Sequence, residues 1–593
     1  MNSRGMGVLD ALRPGKPGKP EKPVPGRALL AGCVVIGGMV GLLLGCGSPA
    51  PPPAQTAPPS VQEQVRVMPA VSEDVRQQLL DGAVAVLDRL DDYDEESAFA
   101  QVFDRLNQWS HAAVIAGAPV AATWQVDPLF TALPDRLRGG TTPESLGSSV
   151  FDAATDIEAL RDQRWLADIA ATARGDAVED LDIASNIFRW TVRSLALVSD
   201  PPMAATEATP GTRWFLPGEI LLSGRASPAQ RAWIFLELLR HAGLDGVMLA
   251  TGNPERGVRA WIPAVISNGE AWLFEPTYGM PIAGPEGVGI ATARQAASDP
   301  SILQRLSFSD RSYPVQAGDI NGLSVLVAAD PWSLSRRMRA VDEQLLGSRS
   351  MKLALDASAL GERALRALPA AGTAAGDQAE AGGGEVARAV EGVRRVGLWE
   401  FPWEVFARRR SDAARVQATV GRELAVMSVE IAQSTGGDGM GGRRSTRIVR
   451  PLYAARLREF RGDCDGPNGA KVSYLAARPG RQAIADTLKA VPPEQAEGVK
   501  RLFEQMKEDA TYWLGVLTLA EGENATAVDY LGRMTLEAAP DSRWTDAARV
   551  NLARALAGLG RKEEAVKLLR EDASPQRFGS RLLAEELEKS AKP

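Results

Sequence analysis

The chain has 593 residues but only two histidines, His111 and His241, and three cysteines, Cys33, Cys46 and Cys464. Zinc centres need clustered Cys and His, and neither residue is frequent enough here to build one. Two of the cysteines lie in an apolar N-terminal stretch, so the body has a single thiol and no disulfide framework. Imidazole, the commonest general base, is confined to two positions. Positive charge is scattered and the net charge is −7. Phosphate binding needs clustered Lys and Arg, so nucleic acid is not an expected partner. No pattern calls for a cofactor or a metal. What is present is an ordinary globular composition, 45% hydrophobic and 24% charged. The length suits about three folding units at roughly 100 to 200 residues each.

The first 27 residues hold six cations (Arg4, Arg13, Lys16, Lys19, Lys22, Arg27) against Asp10 and Glu21. Residues 28–45, ALLAGCVVIGGMVGLLLG, carry no charge. A basic segment before an apolar one reads as a secretion signal or a membrane anchor. The run ends in Leu43-Leu44-Gly45-Cys46, which resembles a bacterial lipobox and implies lipid attachment at Cys46. An uncleaved single span is the alternative, since about 17 to 25 apolar residues cross a bilayer. Either one places the body outside the cytoplasm at a membrane. The stretch GSPAPPPAQTAPPS that follows is a semi-extended tether.

Periodicity divides the rest. Residues 65–177 repeat apolar side chains at three and four, the helical spacing, and DLDIASNIFRWTVRSLALVS continues it. The runs GVMLATG, VRAWIPAVI and EAWLFEPT have strand length and composition, and Asn268-Gly269 supplies a two-residue hairpin turn. These features outline an α+β unit at 178–300, an α/β extension at 301–366 and an Ala/Gly-rich linker at 367–392. A helical region follows at 393–593. With 1–46 as the anchor and 47–64 as the tether, the expected architecture is multidomain and predominantly α. Gly437, Gly439 and Gly442 spell a formal GxGxxG. They follow a helical pattern instead of a strand, so they read as a loop and not as a dinucleotide fingerprint. GDCDGPNG around Cys464 lacks the remaining ligands of a calcium loop and reads as a turn between helices. The acidic run Asp88, Asp91, Asp92, Asp94, Glu95, Glu96 reads as a solvated loop, and Arg408 to Arg410 as a helix surface.

Within 507–573 the sequence repeats at a spacing of 38. Ala510 matches Ala548, Leu514 matches Leu552, Gly522 matches Gly560, Ala527 matches Ala565 and Leu531 matches Leu569. This order of small and large residues resembles the tetratricopeptide repeat, in which small residues let antiparallel helices pack closely. The resemblance implies a short insertion near 540–545 and a groove for a protein or peptide partner. Residues 470–506 are a candidate third copy.

The order helix, strand with Ala260-Trp261, strand with Glu275-Pro276-Thr277 resembles the transglutaminase-like fold of the papain-type superfamily. Leu238-Leu239-Arg240-His241-Ala242-Gly243 at the helix end belongs to the same likeness. Active members carry a Cys at the helix start, a His before Ala-Trp and an Asp before Pro-Thr. Those positions here fall at Ser227 or Pro228, at Arg259 and at Glu275. Arginine does not give up its proton at accessible pH, and a serine without a general base stays weak. The resemblance therefore implies the fold with a degenerate triad. Ser227-Pro228-Ala229-Gln230 also has the pattern of a capping box with proline at the first helical position. Ala232, Trp233, Leu236 and Leu239 are the expected core face, with Arg231 and Glu237 towards solvent and His241 as a cation at the helix C-terminus. An Arg259–Glu275 ion pair is expected across the vacated site if a bulge or a three-residue loop sets the two on one face. The reading is a non-catalytic, membrane-tethered scaffold of the cell envelope. The alternatives are a hydrolase or acyltransferase using Ser227, and a module binding a peptide or cell-wall fragment in a cleft lined by Trp261, Arg259 and Glu275.

Overall fold

A computed structural model describes residues 72–591 apart from 116–120, 200–212, 254–256, 370–394, 436–444 and 490. The apolar segment with Cys46, the tether, nearly all of the Ala/Gly-rich linker and the GxGxxG glycines lie outside the described residues. No helix among the described residues is long and apolar enough to cross a membrane. The chain is predominantly helical around one mixed sheet.

The helical patterns fold as expected, into Glu73–Leu87, Glu95–Ile115, Asp156–Arg174 and Asp180–Ser194. The sheet has six strands: β1 Asp245–Asn253, β2 Gly257–Ser267, β3 Glu270–Glu275, β4 Met280–Pro281, β5 Ser324–Val327 and β6 Val396–Leu398. Their order is β4, β3, β2, β1, β5, β6, with only β5 and β6 parallel. The α+β unit thus runs past residue 300 and takes its last strand from beyond the linker. Asn268 and Gly269 both have positive φ, 54° and 74°, and Ser267 pairs with Glu270. That is the two-residue turn the Asn-Gly pair demands.

One sheet face packs Met248, Val265 and Phe274 beneath the central helix Pro228–His241. The opposite face packs Val247, Leu249, Ala264 and Leu273 against helices that include Ala357–Ala367. The first of these cores runs without a break from Leu80 to Ala584. The N-terminal helices, the central helix and the C-terminal hairpins therefore share one apolar interior.

The 38-residue repeat folds as two helical hairpins. Pro493–Ala520 pairs with Asn524–Val528 and its π-wound continuation Asp529–Glu537, and Thr545–Gly558 pairs with Lys562–Arg570. Each matched pair of Ala and Leu residues is buried. Gly522 and Gly560 turn at φ 78° and 77°. Small residues do what the pattern requires: a Cβ on Gly515 would meet Leu531 at 2.7 Å. Residues 470–506 form two short helices and half of the 28-residue helix, not a third hairpin. Across 540–545 the chain buries Trp544, whose ring stacks on Tyr512 at 4.3 Å.

Candidate functional site

The central helix starts as its sequence directs. Ser227 Oγ accepts the Gln230 N–H at 3.3 Å, Gln230 Oε1 accepts the Ser227 N–H at 3.0 Å, and Pro228 takes the first helical position. The Ser227 side chain is buried and occupied as a cap. A cavity of about 410 Å³ opens beside this helix start. The helix contributes Pro228, Ala229 and Ala232 to its wall, and not Ser227. Of the two positions expected for a nucleophile, Ser227 or Pro228, only Pro228 lines the cavity.

The cavity lies where β2 and β3 part. Their pairing ends at Ala264 with Leu273, and Glu275 at the end of β3 pairs instead with Met280 of β4. On its other side β2 carries a bulge. Met248 pairs with Pro263 and Ala250 with Ala260, so Trp261 and Ile262 stand opposite Leu249 alone. A bulge adds a residue to one strand and bends it, breaking the alternation that the tight turn would impose. Arg259, Trp261 and Glu275 all line the cavity as a result.

The expected ion pair is absent all the same. Glu275 takes the Tyr313 hydroxyl on Oε2 at 2.5 Å and the Thr277 N–H on Oε1 at 2.8 Å. Trp261 Nε1 donates to the Tyr313 oxygen at 2.9 Å. Arg259 is exposed, and its guanidinium has no ion-pair or hydrogen-bond partner among the described residues. Burial pushes the Glu275 carboxyl above the usual carboxylate range, and the hydrogen bonds offset this only in part. Burial and the neighbouring carboxylate together push the Tyr313 phenol well up, so it remains a protonated donor. Tyr313 lies 38 residues downstream of Glu275 in an irregular segment, with no periodicity to mark it in the sequence. The second arginine of the cavity, Arg311, is equally unmarked, and its guanidinium lies 4.4 Å from the Phe578 ring centre.

Neither histidine serves this site. His111 is on the exposed side of Glu95–Ile115. His241 is at the far end of the central helix, about 20 Å from Ser227 at 1.5 Å per residue. It is not the expected cation: burial, then Arg240, Arg164 and Lys352, hold its pKa well below the usual value. Its Nδ1 accepts the Lys352 N–H at 3.2 Å, and its Nε2 lies 2.8 Å from Gln163 Oε1. The Cys464 thiol is pushed up to about 12, chiefly by burial, with Glu459, Glu521 and Asp465 adding to it. It sits in the turn after Pro451–Arg461, away from the cavity.

Several polar groups expected to face solvent are structural. Arg231 and Glu237 are buried. Arg231 donates to Leu195 O at 2.9 Å, Pro276 O at 3.0 Å and Gln576 Oε1 at 2.9 Å, tying the back of the cavity to the C-terminal segment. Glu237 accepts from Gln163 at 3.1 Å and pairs with Arg240. The acidic run is not simply solvated: Asp88 pairs with Arg164 at 2.8 Å, Asp91 with Arg458 and Arg461 at 3.3 Å, and Glu95 with Arg161 at 2.8 Å. In the basic triplet, Arg409 holds Glu219 at 2.8 Å.

The hairpins and the segment that follows them pack against the rest of this same chain. Trp513 and Trp544 abut Gly224, Asn551 donates to Arg193 O at 3.2 Å, and Phe578 stacks on Tyr278 beside the cavity. Comparison with family models, curated proteins and solved structures finds no match for the chain.

Proposed function

We propose that the chain is a non-catalytic binding protein of transglutaminase-like architecture, with the vacated cleft as its recognition site. The carrying observation is the composition of the cleft. It keeps the helix start, the Ala-Trp strand and the Glu-Pro-Thr strand of the resembling family, yet among the described residues its lining has no thiol and no imidazole, and its one carboxylate, Glu275, is held by Tyr313. Acyl transfer needs a nucleophile with a base in hydrogen-bond reach. Ser227 is committed to the helix backbone and Glu275 to Tyr313. Gln576 and Phe578, just beyond the hairpins, brace the cleft, and the hairpins offer their outer surface to a protein partner. In this reading residues 28–46 tether the body to a membrane outside the cytoplasm, through a lipid on Cys46 or as an uncleaved span.

Exposure of the full chain and its Ser227→Ala variant to a fluorophosphonate probe, and to a glutamine donor with a labelled amine, tests the central claim. Neither reagent is expected to modify or be turned over by the protein. Labelling that disappears in Ser227→Ala would make the protein a serine-dependent acyl-transfer enzyme and overturn the reading. Palmitate incorporation into the wild type but not Cys46→Ala distinguishes lipid attachment from a span.

A further inference from the structure

The cleft carries more than the loss of a triad: it combines an unpaired strand edge with uncompensated positive charge. β2 is paired along its length with β1, from Gly257 opposite Asn253 to Ile266 opposite Asp245. On the other side it is paired with β3 only at residues 264–267. Among the described residues, the N-terminal half of β2 therefore has no strand paired on the side facing the fork in which the cavity lies, and Val258, Arg259 and Ala260 on it are exposed. A strand edge presents backbone N–H and C=O groups in register, a ready template for an added strand. Pro263 and the bulge at Trp261 and Ile262 close this edge at its inner end.

Among the described residues, the charge at this edge that is not engaged within the fold is positive. Arg259 and Arg311 line the cavity, and neither makes an ion pair with a carboxylate among the described residues. The only carboxylate lining the cavity among the described residues, Glu275, is engaged by Tyr313 and Thr277. Trp261, Trp399 and Tyr278 add apolar wall between the two cations. Guanidinium groups at the mouth of a partly enclosed site favour carboxylates through charge-assisted hydrogen bonds.

We propose that the cleft binds an extended acidic peptide, added as a strand to the free edge of β2, with its carboxylates on Arg259 and Arg311. This rests on the reading of the cleft as a recognition site. Main-chain pairing to residues 257–260 supplies sequence-independent attachment. The two arginines select for acidic side chains at alternate positions, because successive side chains of a strand point to opposite faces. The stacking of Arg311 on Phe578 ties one arm of the site to the C-terminal segment.

The test uses the full chain and a fluorescein-labelled heptapeptide of alternating threonine and glutamate, titrated by fluorescence anisotropy. The same peptide with glutamine for glutamate removes charge. A third version, N-methylated at alternate amides in either phase, removes strand donors. The glutamate peptide is expected to bind saturably, with weaker binding at high salt. The glutamine peptide and at least one phase of the methylated peptide are expected to bind about tenfold more weakly or worse. Arg259→Gln should lower affinity about fivefold to tenfold with an unchanged thermal midpoint, since its side chain supports nothing in the fold. Arg311→Gln should weaken binding similarly. No saturable binding, equal binding of the glutamine peptide, indifference to both methylated phases, or an unaltered affinity in Arg259→Gln would each overturn the proposal. Ser227-dependent labelling would remove the non-catalytic reading without touching this titration, so the two can fail separately.

Discussion

Substituting Gly224 by alanine isolates the contact between the α+β unit and the C-terminal hairpins. Gly224 closes the helix Pro217–Ser223 at φ 62°, ψ 19°, a left-handed conformation that costs an L-residue roughly 1 to 2 kcal/mol. A Cβ there would lie 2.1 Å from Trp513 Cζ2 and 2.4 Å from Cη2, with Trp544 at 3.3 Å. The Trp513 ring has little room to retreat. Arg456 lies 3.7 Å from its centre, Trp544 is edge-on at 5.1 Å, and Tyr512 stacks on Trp544 behind it. Overpacking a close-packed interior costs about 1 to 3 kcal/mol, so Gly224→Ala should lose about 2 to 5 kcal/mol in all. Gly522 is the matched control: its φ is 78°, and nothing lies within 4 Å of the place an added methyl would take. Gly522→Ala should therefore lose only the conformational part, about 1 to 2 kcal/mol. Urea unfolding followed by circular dichroism at one temperature gives both values. Equal losses in the two variants would refute the claim that the hairpins are seated on Gly224.

Ser227→Ala should cost about 1 kcal/mol in the same assay through the lost helix cap, while Ser227→Thr retains most of it; no loss in the alanine variant would contradict the capping geometry. Asp91→Ala leaves Arg458 and Arg461 without their shared carboxylate. It should cost about 2 to 3 kcal/mol, less than the 3 to 5 of a fully buried pair because both arginines keep some solvent. It should also speed proteolysis within residues 73–115, whereas Arg89→Ala, at an exposed pair with Asp92, should do neither. Burial raises the folded-state pKa of Glu275 above its ordinary 4.5. Its contribution is therefore fully present below about 4.5 and lost as pH rises through the raised value. Glu275→Gln, which keeps an acceptor for Tyr313, should gain on the wild type as pH climbs from 4 to 8. A constant difference between the two urea curves, or one that moves the other way, would refute this.

Features written in neighbouring residues are legible in the sequence. The cap at Ser227 and Gln230, the turn at Asn268 and Gly269, and the matched small residues of the repeat each depend on contacts within a hairpin or a helical turn. Their physics acts at short range. Arg231 and Glu237 depart from the sequence reading because helical periodicity sets polar residues towards solvent only when solvent lies on the other side. The central helix is covered all round, and what covers Arg231 comes from Leu195, Pro276 and Gln576, the last of them 345 residues away. The acidic run departs for the same reason: its partners Arg164, Arg458 and Arg461 belong to helices that periodicity cannot bring together. Tyr313 is invisible for a further reason, since its role depends on where an irregular segment crosses the end of β3.

The same long-range contacts bear on how the cleft keeps its shape with no imidazole beside Glu275 among the described residues. A buried carboxylate left without a hydrogen-bond donor costs roughly 1 to 3 kcal/mol. Here the Tyr313 hydroxyl satisfies Glu275 and is itself satisfied by Trp261. Arg259, on the strand beside it, is not needed to satisfy Glu275 and faces solvent. The backbone around this site is anchored independently, by Arg231 on Pro276 O and by Gly579, where a Cβ would lie 1.7 Å from Tyr278 O. The residues that would act on a ligand, Arg259 and Arg311, are thus separate from those that maintain the cleft. Charge at the two arginines can therefore be altered for specificity while Tyr313, Arg231 and Gly579 keep the walls in place.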